Sequence, residues 1–169
     1  MLKSNSMRQE TLDIVIKLQA LFEDRWAFLS TAESCTGGLI SHYITSVAGS
    51  SAYFSGGIVS YSEDMKKKVL GMSPDTIAKH GVVSKETARE MAERALEISG
   101  SDYSVSSTGN LGPDVLEEKE KGLVYIAASG NGKTISRELH LVGNRKANKE
   151  DAVFEALRLL IEFVEEEGS

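Results

Sequence analysis

The sequence is short of cysteine, of long apolar runs and of positive charge, and each shortage argues against a class of protein. Its single cysteine cannot form an internal disulfide, which favours a reducing compartment over a disulfide-stabilised secreted scaffold. No segment approaches the roughly 20 apolar residues of a membrane-spanning helix, and no signal-peptide pattern is present. We therefore expect a cytoplasmic protein.

Positive charge is scarce because 25 acidic residues stand against 19 basic ones, for a net charge of −6. This balance argues against nonspecific binding to nucleic acid or to an anionic membrane surface. The histidine, cysteine and acidic residues do not cluster at metal-ligand spacing. We expect no metal, no cofactor, and no nucleic-acid or membrane partner, so any anionic ligand would need a local site.

What the sequence does contain suits one domain. With 169 residues, 41% of them hydrophobic, the chain is long enough to bury one core. We interpret residues 1–169 as a single domain without repeats or linkers, and residues 1–5 as a disordered start. Apolar periodicity predicts helices at 6–23, 39–47, 63–70, 74–80, 85–99 and 150–166, and strands at 26–31, 56–61, 102–108, 122–129 and 134–141.

The order of these elements predicts how the strands pair. Strands alternate with helices early in the chain, which favours parallel pairing, whereas Gly130-Asn131-Gly132 is typical of a hairpin between the last two strands. We therefore expect an α/β fold, a three-layer α/β/α sandwich. Its mixed sheet should have about five strands, one of them antiparallel.

A glycine turn, Glu33-Ser34-Cys35-Thr36-Gly37-Gly38, links the first predicted strand to the next helix. Backbone N–H groups at such a turn can bind a phosphate or form an oxyanion hole, and we assign that role to Thr36, Gly37 and Gly38. On pattern alone, an ordinary scaffold turn is the plainer interpretation. Cys35 is a rival nucleophile because a helix N-terminus stabilises a thiolate, although a buried, inert cysteine is the favoured interpretation.

Several separated motifs together resemble the C-terminal domain of the CinA family. They are AESCTGG, GSSAYFSGGIVSYS with a lysine-bearing segment after it, HGVVS before a helix, and GPD in a later loop, within residues 12–164. Members of that competence/damage-inducible family act as nicotinamide mononucleotide deamidases in pyridine nucleotide salvage. The resemblance implies the same α/β/α fold and a hydrolase.

The resemblance also implies which residues do the chemistry. The implied catalytic residues are Ser51, the second serine of the GSS motif, Tyr61 and Lys66. The family's Gly-Asp-Arg triplet reads Gly143-Asn144-Arg145 here, so its arginine is retained and its aspartate is not. The expected substrate-binding residues are Glu33, Ser34, Thr36, Gly37, Gly38, Ser50, Gly109 and Arg145.

The residues by themselves permit this chemistry without requiring it. A serine needs a base, and a lysine can serve when burial or nearby positive charge lowers its pKa. We expect Lys67 and Lys68 to lower the pKa of Lys66 in this way. From the pattern alone, however, Ser51 is an ordinary turn serine, Tyr61 a strand-end aromatic residue, and Lys66 part of a solvated helix face.

The loop at 109–121 departs from the family pattern, in which several glycines and a Lys-Pro pair are typical. Glu117, Glu118 and Glu120 stand in this loop instead. Fewer glycines restrict the backbone, and acidic side chains that faced the site would repel a phosphate. We expect these three side chains to face solvent.

The resemblance therefore implies an amidohydrolase that converts nicotinamide mononucleotide to nicotinic acid mononucleotide and ammonia. Its partner would be a small-molecule mononucleotide, with Ser51 attacking the carboxamide, Lys66 and Tyr61 moving the proton, and Arg145 pairing with the phosphate. Two alternatives stay open, an inactive binding or regulatory module of the same fold and an amidase for another carboxamide. Assembly as a homo-oligomer is also left open.

Overall fold

The structure is a computed structural model that describes residues 8–167. The segment 1–5, expected to be disordered, lies outside the described residues. Within them the elements are α1 (Gln9–Arg25), β1 (Leu29–Glu33), α2 (Leu39–Ser46), β2 (Phe54–Val59), α3 (Glu63–Lys68), α4 (Pro74–His80), α5 (Lys85–Ser99), β3 (Tyr103–Gly109), β4 (Leu123–Gly130), β5 (Lys133–His140) and α6 (Arg145–Glu167).

The five strands form one mixed sheet in the order β2-β1-β3-β4-β5. β1 pairs in parallel with β2 on one side and with β3 on the other. β4 is antiparallel to β3 and to β5, so among the described strands β4 alone runs against the rest. The predicted sheet of five strands with one antiparallel member is confirmed.

Helices cover both faces of this sheet. On one face α1, α2 and α6 bury a large core that includes Phe22, Tyr43 and Leu160. On the other face α5 lies across the strands, and Ile77 of α4 and Met91 of α5 belong to a smaller core. The predicted three-layer α/β/α sandwich is confirmed. No helix within residues 8–167 is both long and apolar enough to cross a membrane.

Several element boundaries differ from the prediction by a few residues, and at two places the structure shows the reason. α1 continues to Arg25, where Trp26 takes a left-handed conformation with a φ of 53° and ends the helix, so β1 starts at Leu29 and not at 26. α6 starts at Arg145, earlier than the predicted 150. Its start is capped by Asn144, whose side-chain oxygen accepts a hydrogen bond from the Ala147 N–H at 2.9 Å.

The parallel strands place their carboxyl ends along one edge of the sheet. β1 ends at Glu33, β2 at Val59 and β3 at Gly109. The chain leaves β1 through α2 on one face and leaves β2 through α3, α4 and α5 toward the other. Since β1 lies between β2 and β3, this edge contains a point where successive connections diverge, which is where open α/β sheets bind ligands.

Candidate active site

A cleft opens at the carboxyl edge of the parallel strands and divides into two chambers. The first, of about 330 Å³, is bounded by Lys66, Val82, Val83 and Thr108, among others. The second, of about 220 Å³, is bounded by Cys35, Asp114 and Arg145, among others. Four residues line both chambers and therefore mark their junction: Ser34, Tyr61, Gly109 and Leu116.

At the junction, Ser34 forms a hydrogen bond with a buried lysine of the first chamber. Lys66 on α3 is 1% exposed, and its Nζ lies 2.8 Å from the Oγ of Ser34, the residue that directly follows β1. The same Nζ donates to the backbone oxygens of Ser60 at 2.9 Å and Tyr61 at 3.4 Å. Ser62 caps α3 by accepting a hydrogen bond from the Met65 N–H, which fixes the turn that carries Lys66.

Burial lowers the pKa of Lys66 to about 8, although the nearby Cys35, Glu63 and Glu117 act in the opposite direction. Lys67 and Lys68, which were expected to lower this pKa, are not among its causes. Their ammonium groups pair with Glu63 and Asp64 at the exposed surface of α3. The desolvated position of the Lys66 amine is therefore the physical cause of its reduced basicity.

Ser51 does not lie beside Lys66 within this chain. Ser50 and Ser51 form a short 3₁₀ turn before β2, next to α1, where the Gly49 position faces Gln19. β2 is six residues long, so the two ends of this strand are separated by about 20 Å. Tyr61 and Lys66 follow the carboxyl end, whereas Ser51 precedes the amino end. The position expected for Ser51 is taken by Ser34.

The glycine turn is occupied by a carboxylate from its own chain. Glu33 is fully buried, and its Oε2 accepts hydrogen bonds from the Gly38 N–H at 3.1 Å and from the Thr36 hydroxyl at 2.6 Å. The Gly37 N–H donates to the Ser34 carbonyl oxygen at 3.0 Å. The N–H groups of Gly37 and Gly38 are thus engaged, and the predicted phosphate or oxyanion contact has no free donor at these two positions.

Glu33 also binds the first turn of α2 more widely, through the Ile40 N–H and through the N–H and hydroxyl of Ser41. A buried carboxylate that accepts this many hydrogen bonds, at the positive end of a helix, fixes the geometry of the turn. Its effect on chemistry is indirect, because the fixed turn sets the position of Ser34.

Tyr61 and Arg145 meet at the mouth of the second chamber. The Arg145 guanidinium donates to the Tyr61 hydroxyl at 2.9 Å and to the Gly112 carbonyl oxygen at 2.7 Å. The Asn144 cap places Arg145 at the first position of α6, and an aspartate at 144 would cap in the same way. The departure from the family triplet therefore preserves the local structure that presents Arg145.

The acidic loop is exposed to solvent and is also anchored to the segment after α4 by hydrogen bonds of Glu117. Glu117 is exposed, as expected, but both oxygens of its carboxylate also accept backbone hydrogen bonds, from the Val82 N–H at 2.6 Å and the Val83 N–H at 3.2 Å. Glu118 and Glu120 are exposed as well. The loop therefore contributes a fixed wall to the cleft.

Cys35 lies at the cleft but is chemically quiet. Burial raises the pKa of its thiol to about 12, which keeps it protonated and a poor nucleophile at ordinary pH. This supports the favoured interpretation of an inert cysteine. No group of three potential metal ligands comes together among residues 8–167.

The site thus combines a serine hydroxyl with a buried amine of reduced pKa, a pair suited to nucleophilic attack on an acyl carbon. The chain is an α/β sandwich with a serine–lysine site at the carboxyl edge of its parallel strands. The profile of the CinA C-terminal domain matches residues 12–164, and the chain belongs to that family.

Known relatives agree with this assignment. A CinA-like protein of Leptospira interrogans serogroup Icterohaemorrhagiae serovar copenhageni is 42% identical over 154 residues, 90% of this chain and 37% of the relative. One of Endomicrobium trichonymphae is 46% identical over 133 residues, 78% of this chain and 31% of the relative. The chain thus spans about a third of the length of these curated relatives.

A solved structure shares the fold over almost its whole length. The competence/damage inducible protein CihA from Agrobacterium tumefaciens is 35% identical, with a TM-score of 0.90 and coverage of 94% of this chain and 98% of that one. The family resemblance expected from the sequence is confirmed.

Sequence reasoning gave Ser34 only a substrate-binding role and missed its contact with Lys66. The signal that could have found it is strand polarity, because Ser34 follows a strand that pairs in parallel and Ser51 precedes one. Asn148 was also missed. It is fully buried and donates to the Leu111 carbonyl oxygen at 3.1 Å, which ties α6 to the loop.

Proposed function

We propose that this chain hydrolyses the carboxamide of a pyridine mononucleotide, releasing ammonia and the corresponding carboxylate, with Ser34 as nucleophile and Lys66 as base. The observation that carries the proposal is the 2.8 Å contact between Lys66 Nζ and Ser34 Oγ in a buried setting. The proposal keeps the reaction expected from the family resemblance and moves the nucleophile from Ser51 to Ser34.

The first half of the reaction forms an ester on the enzyme. Neutral Lys66 accepts the Ser34 hydroxyl proton as Oγ bonds to the carboxamide carbon, giving a tetrahedral intermediate. The Lys66 ammonium then passes that proton to the nitrogen, the C–N bond breaks, and ammonia leaves. In the second half, Lys66 takes a proton from water, the hydroxide adds to the ester, and the carboxylate product departs as Ser34 regains its proton.

Three contacts prepare Lys66 for this role. The carbonyl oxygens of Ser60 and Tyr61 hold Nζ toward Ser34. With a pKa of about 8, a fraction of the amine is neutral at neutral pH, whereas an ordinary lysine has almost none. In its neutral form the amine accepts a hydrogen bond from the Ser34 hydroxyl through its lone pair. In its ammonium form the direction is reversed, and Nζ donates to Ser34 Oγ.

The two chambers suit the two ends of a mononucleotide. Val82 and Val83 give the first chamber apolar walls for a pyridine ring, and Arg145 at the second chamber can pair with a phosphate. Asp114 lines the same second chamber, so its charge limits the preference for an anion. Tyr61, bonded to Arg145, joins the two parts of the site.

The proposal is tested by measuring ammonia release and product carboxylate from nicotinamide mononucleotide, nicotinamide riboside and nicotinamide. Turnover of the mononucleotide, fastest of the three, is the expected result. Turnover of free nicotinamide or of an unrelated carboxamide in its place would make the chain an amidase of another specificity. No turnover of any carboxamide by the folded protein would contradict the proposal and favour a binding module.

A further inference from the structure

One wall of the cleft comes from the loop between β3 and β4, through Leu116. This side chain lines both chambers although it is 57% exposed. Val82 and Val83 line the first chamber with it. An exposed leucine needs no explanation in itself, but one at the junction of two chambers is placed to contact a ligand.

A buried asparagine fixes the backbone of Leu116. Asn110 is 4% exposed, and its side-chain oxygen accepts a hydrogen bond from the Leu116 N–H at 3.0 Å. Its side-chain nitrogen donates to the Leu116 carbonyl oxygen at 3.1 Å. One side chain thus holds both polar groups of this residue, as a strand partner would.

The next residues bind the loop to the segment between α4 and α5. Besides accepting from the Val82 and Val83 N–H groups, Glu117 accepts from the Lys119 ammonium at 2.9 Å. Lys119 in turn donates to the carbonyl oxygens of Val83 at 2.6 Å and His80 at 3.2 Å. Glu117 and Lys119 thus satisfy backbone N–H and C=O groups within residues 80–83, the segment whose Val82 and Val83 line the first chamber.

The backbone at this point of the loop has an energetically unfavourable conformation, which these contacts stabilise. Glu117 and Glu118 have φ values of 59° and 54°, in the left-handed region that side chains disfavour. Gly81 makes room for the contact, since a Cβ at that position would overlap the Glu117 carboxylate. Charge-assisted hydrogen bonds are strong enough to offset such a cost.

We infer that Leu116 is a specificity-determining residue, a wall for an aromatic carboxamide ring, and that Glu117 and Lys119 are positioning residues that hold it opposite Val82 and Val83. The identity of the ring rests on the proposed function, whereas the attachment of the loop does not. Leu116→Ala should raise the KM for nicotinamide mononucleotide about fivefold or more, with kcat kept within about threefold, because an apolar contact of this size discriminates by about tenfold.

The attachment is tested by amide hydrogen exchange at Val82 and Val83 in the full chain without ligand. Glu117→Gln removes the charge and should speed exchange at both amides at least about tenfold and raise KM as Leu116→Ala does. Glu118→Gln is the matched control, an exposed neighbour with the same backbone conformation, and should change neither quantity. If Glu117→Gln fails to fold, Lys119→Met removes the other half of the pair and should speed the same exchange.

Two results would overturn the inference. Equal exchange rates at Val82 and Val83 in Glu117→Gln and Glu118→Gln would show that the carboxylate does not hold the loop. An unchanged KM in Leu116→Ala would show that this side chain does not contact the ring. If the wild type does not hydrolyse nicotinamide mononucleotide, the binding affinity for that compound, measured by calorimetry, replaces KM. Equal or absent binding in wild type and Leu116→Ala then overturns the role of Leu116. The exchange comparison still decides whether Glu117 holds the loop.

Discussion

Two serine turns flank the parallel part of the sheet, and they differ in which end of a strand they adjoin. Ser34 follows β1 at the carboxyl edge, is 7% exposed, and bonds to a buried amine. Ser51 precedes β2 at the amino edge and is exposed. Glycine accompanies both, so local composition does not separate them.

The comparison shows that the polarity of the strands decides which turn can do chemistry. Carboxyl ends of parallel strands gather loops from different parts of the chain, and here they bring the turn after β1, the start of α3 and the loop after β3 together. The 3₁₀ turn at the amino edge lies near Gln19, and its residues line neither chamber. The difference in surroundings, not in residue type, gives Ser34 a base.

The largest expected effect comes from exchanging the two serines for alanine one at a time. Ser34→Ala should reduce ammonia release at least about a thousandfold, because the nucleophile is removed. Ser51→Ala should keep activity within about threefold, because its hydroxyl lies at the other edge of the sheet. Circular dichroism of both variants controls for folding.

The opposite outcome would reverse the roles assigned to the two serines. Loss of activity in Ser51→Ala, with Ser34→Ala still active, would return the nucleophile to Ser51. Since Ser51 is about 20 Å of strand away from Lys66 within one chain, the site would then require a second copy. Mixing the two inactive single variants of Ser51 and Lys66 and measuring recovered activity would decide that case.

Replacing Lys66 by methionine should have a similarly large effect on turnover. Lys66→Met should abolish activity, again by about a thousandfold or more, while the melting temperature is unchanged or higher because a buried charged group is replaced by an apolar one. Lys67→Met, on the exposed side of the same helix, is the matched control and should keep activity within about threefold. Equal losses in both variants would indicate a general basic surface and no distinct base.

The pH dependence of turnover should follow the amine. Lys66 acts in its neutral form, and burial brings its pKa to about 8, below the ordinary lysine value of 10.5. Activity should therefore fall about tenfold per pH unit below that pKa and level off above it. A kcat/KM profile over this range measures the effect. A profile flat from pH 6 to pH 9 would contradict a lysine base.

A smaller effect is expected at the second chamber. Arg145→Ala should lower kcat/KM for nicotinamide mononucleotide about tenfold, the loss expected for one charge-assisted contact, and should change the riboside much less. The ratio of the two substrates is the measurement, and the riboside is its internal control. A wild type that does not distinguish mononucleotide from riboside would show that no phosphate subsite exists.

The smallest effect is expected at Cys35. Cys35→Ala should keep activity within about threefold, because burial raises the pKa of the thiol to about 12 and the reaction uses the neighbouring serine. The native protein should also resist alkylation by iodoacetamide, measured by intact mass. Loss of activity in a folded Cys35→Ala variant, or fast alkylation that stops turnover, would move the nucleophile to sulfur.

Much of the fold was predictable because it depends on local patterns. Periodicity placed the helices and strands, and Gly130-Asn131-Gly132 correctly indicated the hairpin that makes β4 antiparallel. Two of the shifted boundaries depend on single residues, the left-handed Trp26 and the capping Asn144, whose effects lie outside a hydrophobic pattern. The site was predicted in part: Tyr61, Lys66, Gly109 and Arg145 lie at the cleft, and Ser51 does not.

The α/β class, the strand count, the family and the candidate lysine could all be inferred from the sequence, because these depend on spacing along the chain. Three further points became visible only in the folded chain: that Ser34 is the serine beside Lys66, that Glu33 occupies the glycine turn, and that Glu117 binds the loop to Val82 and Val83. Each of these depends on which groups meet in the folded chain, and at Lys66 that meeting closes the amine off from water. That closure lowers the pKa of Lys66 by desolvation, an effect that spacing along the chain does not encode.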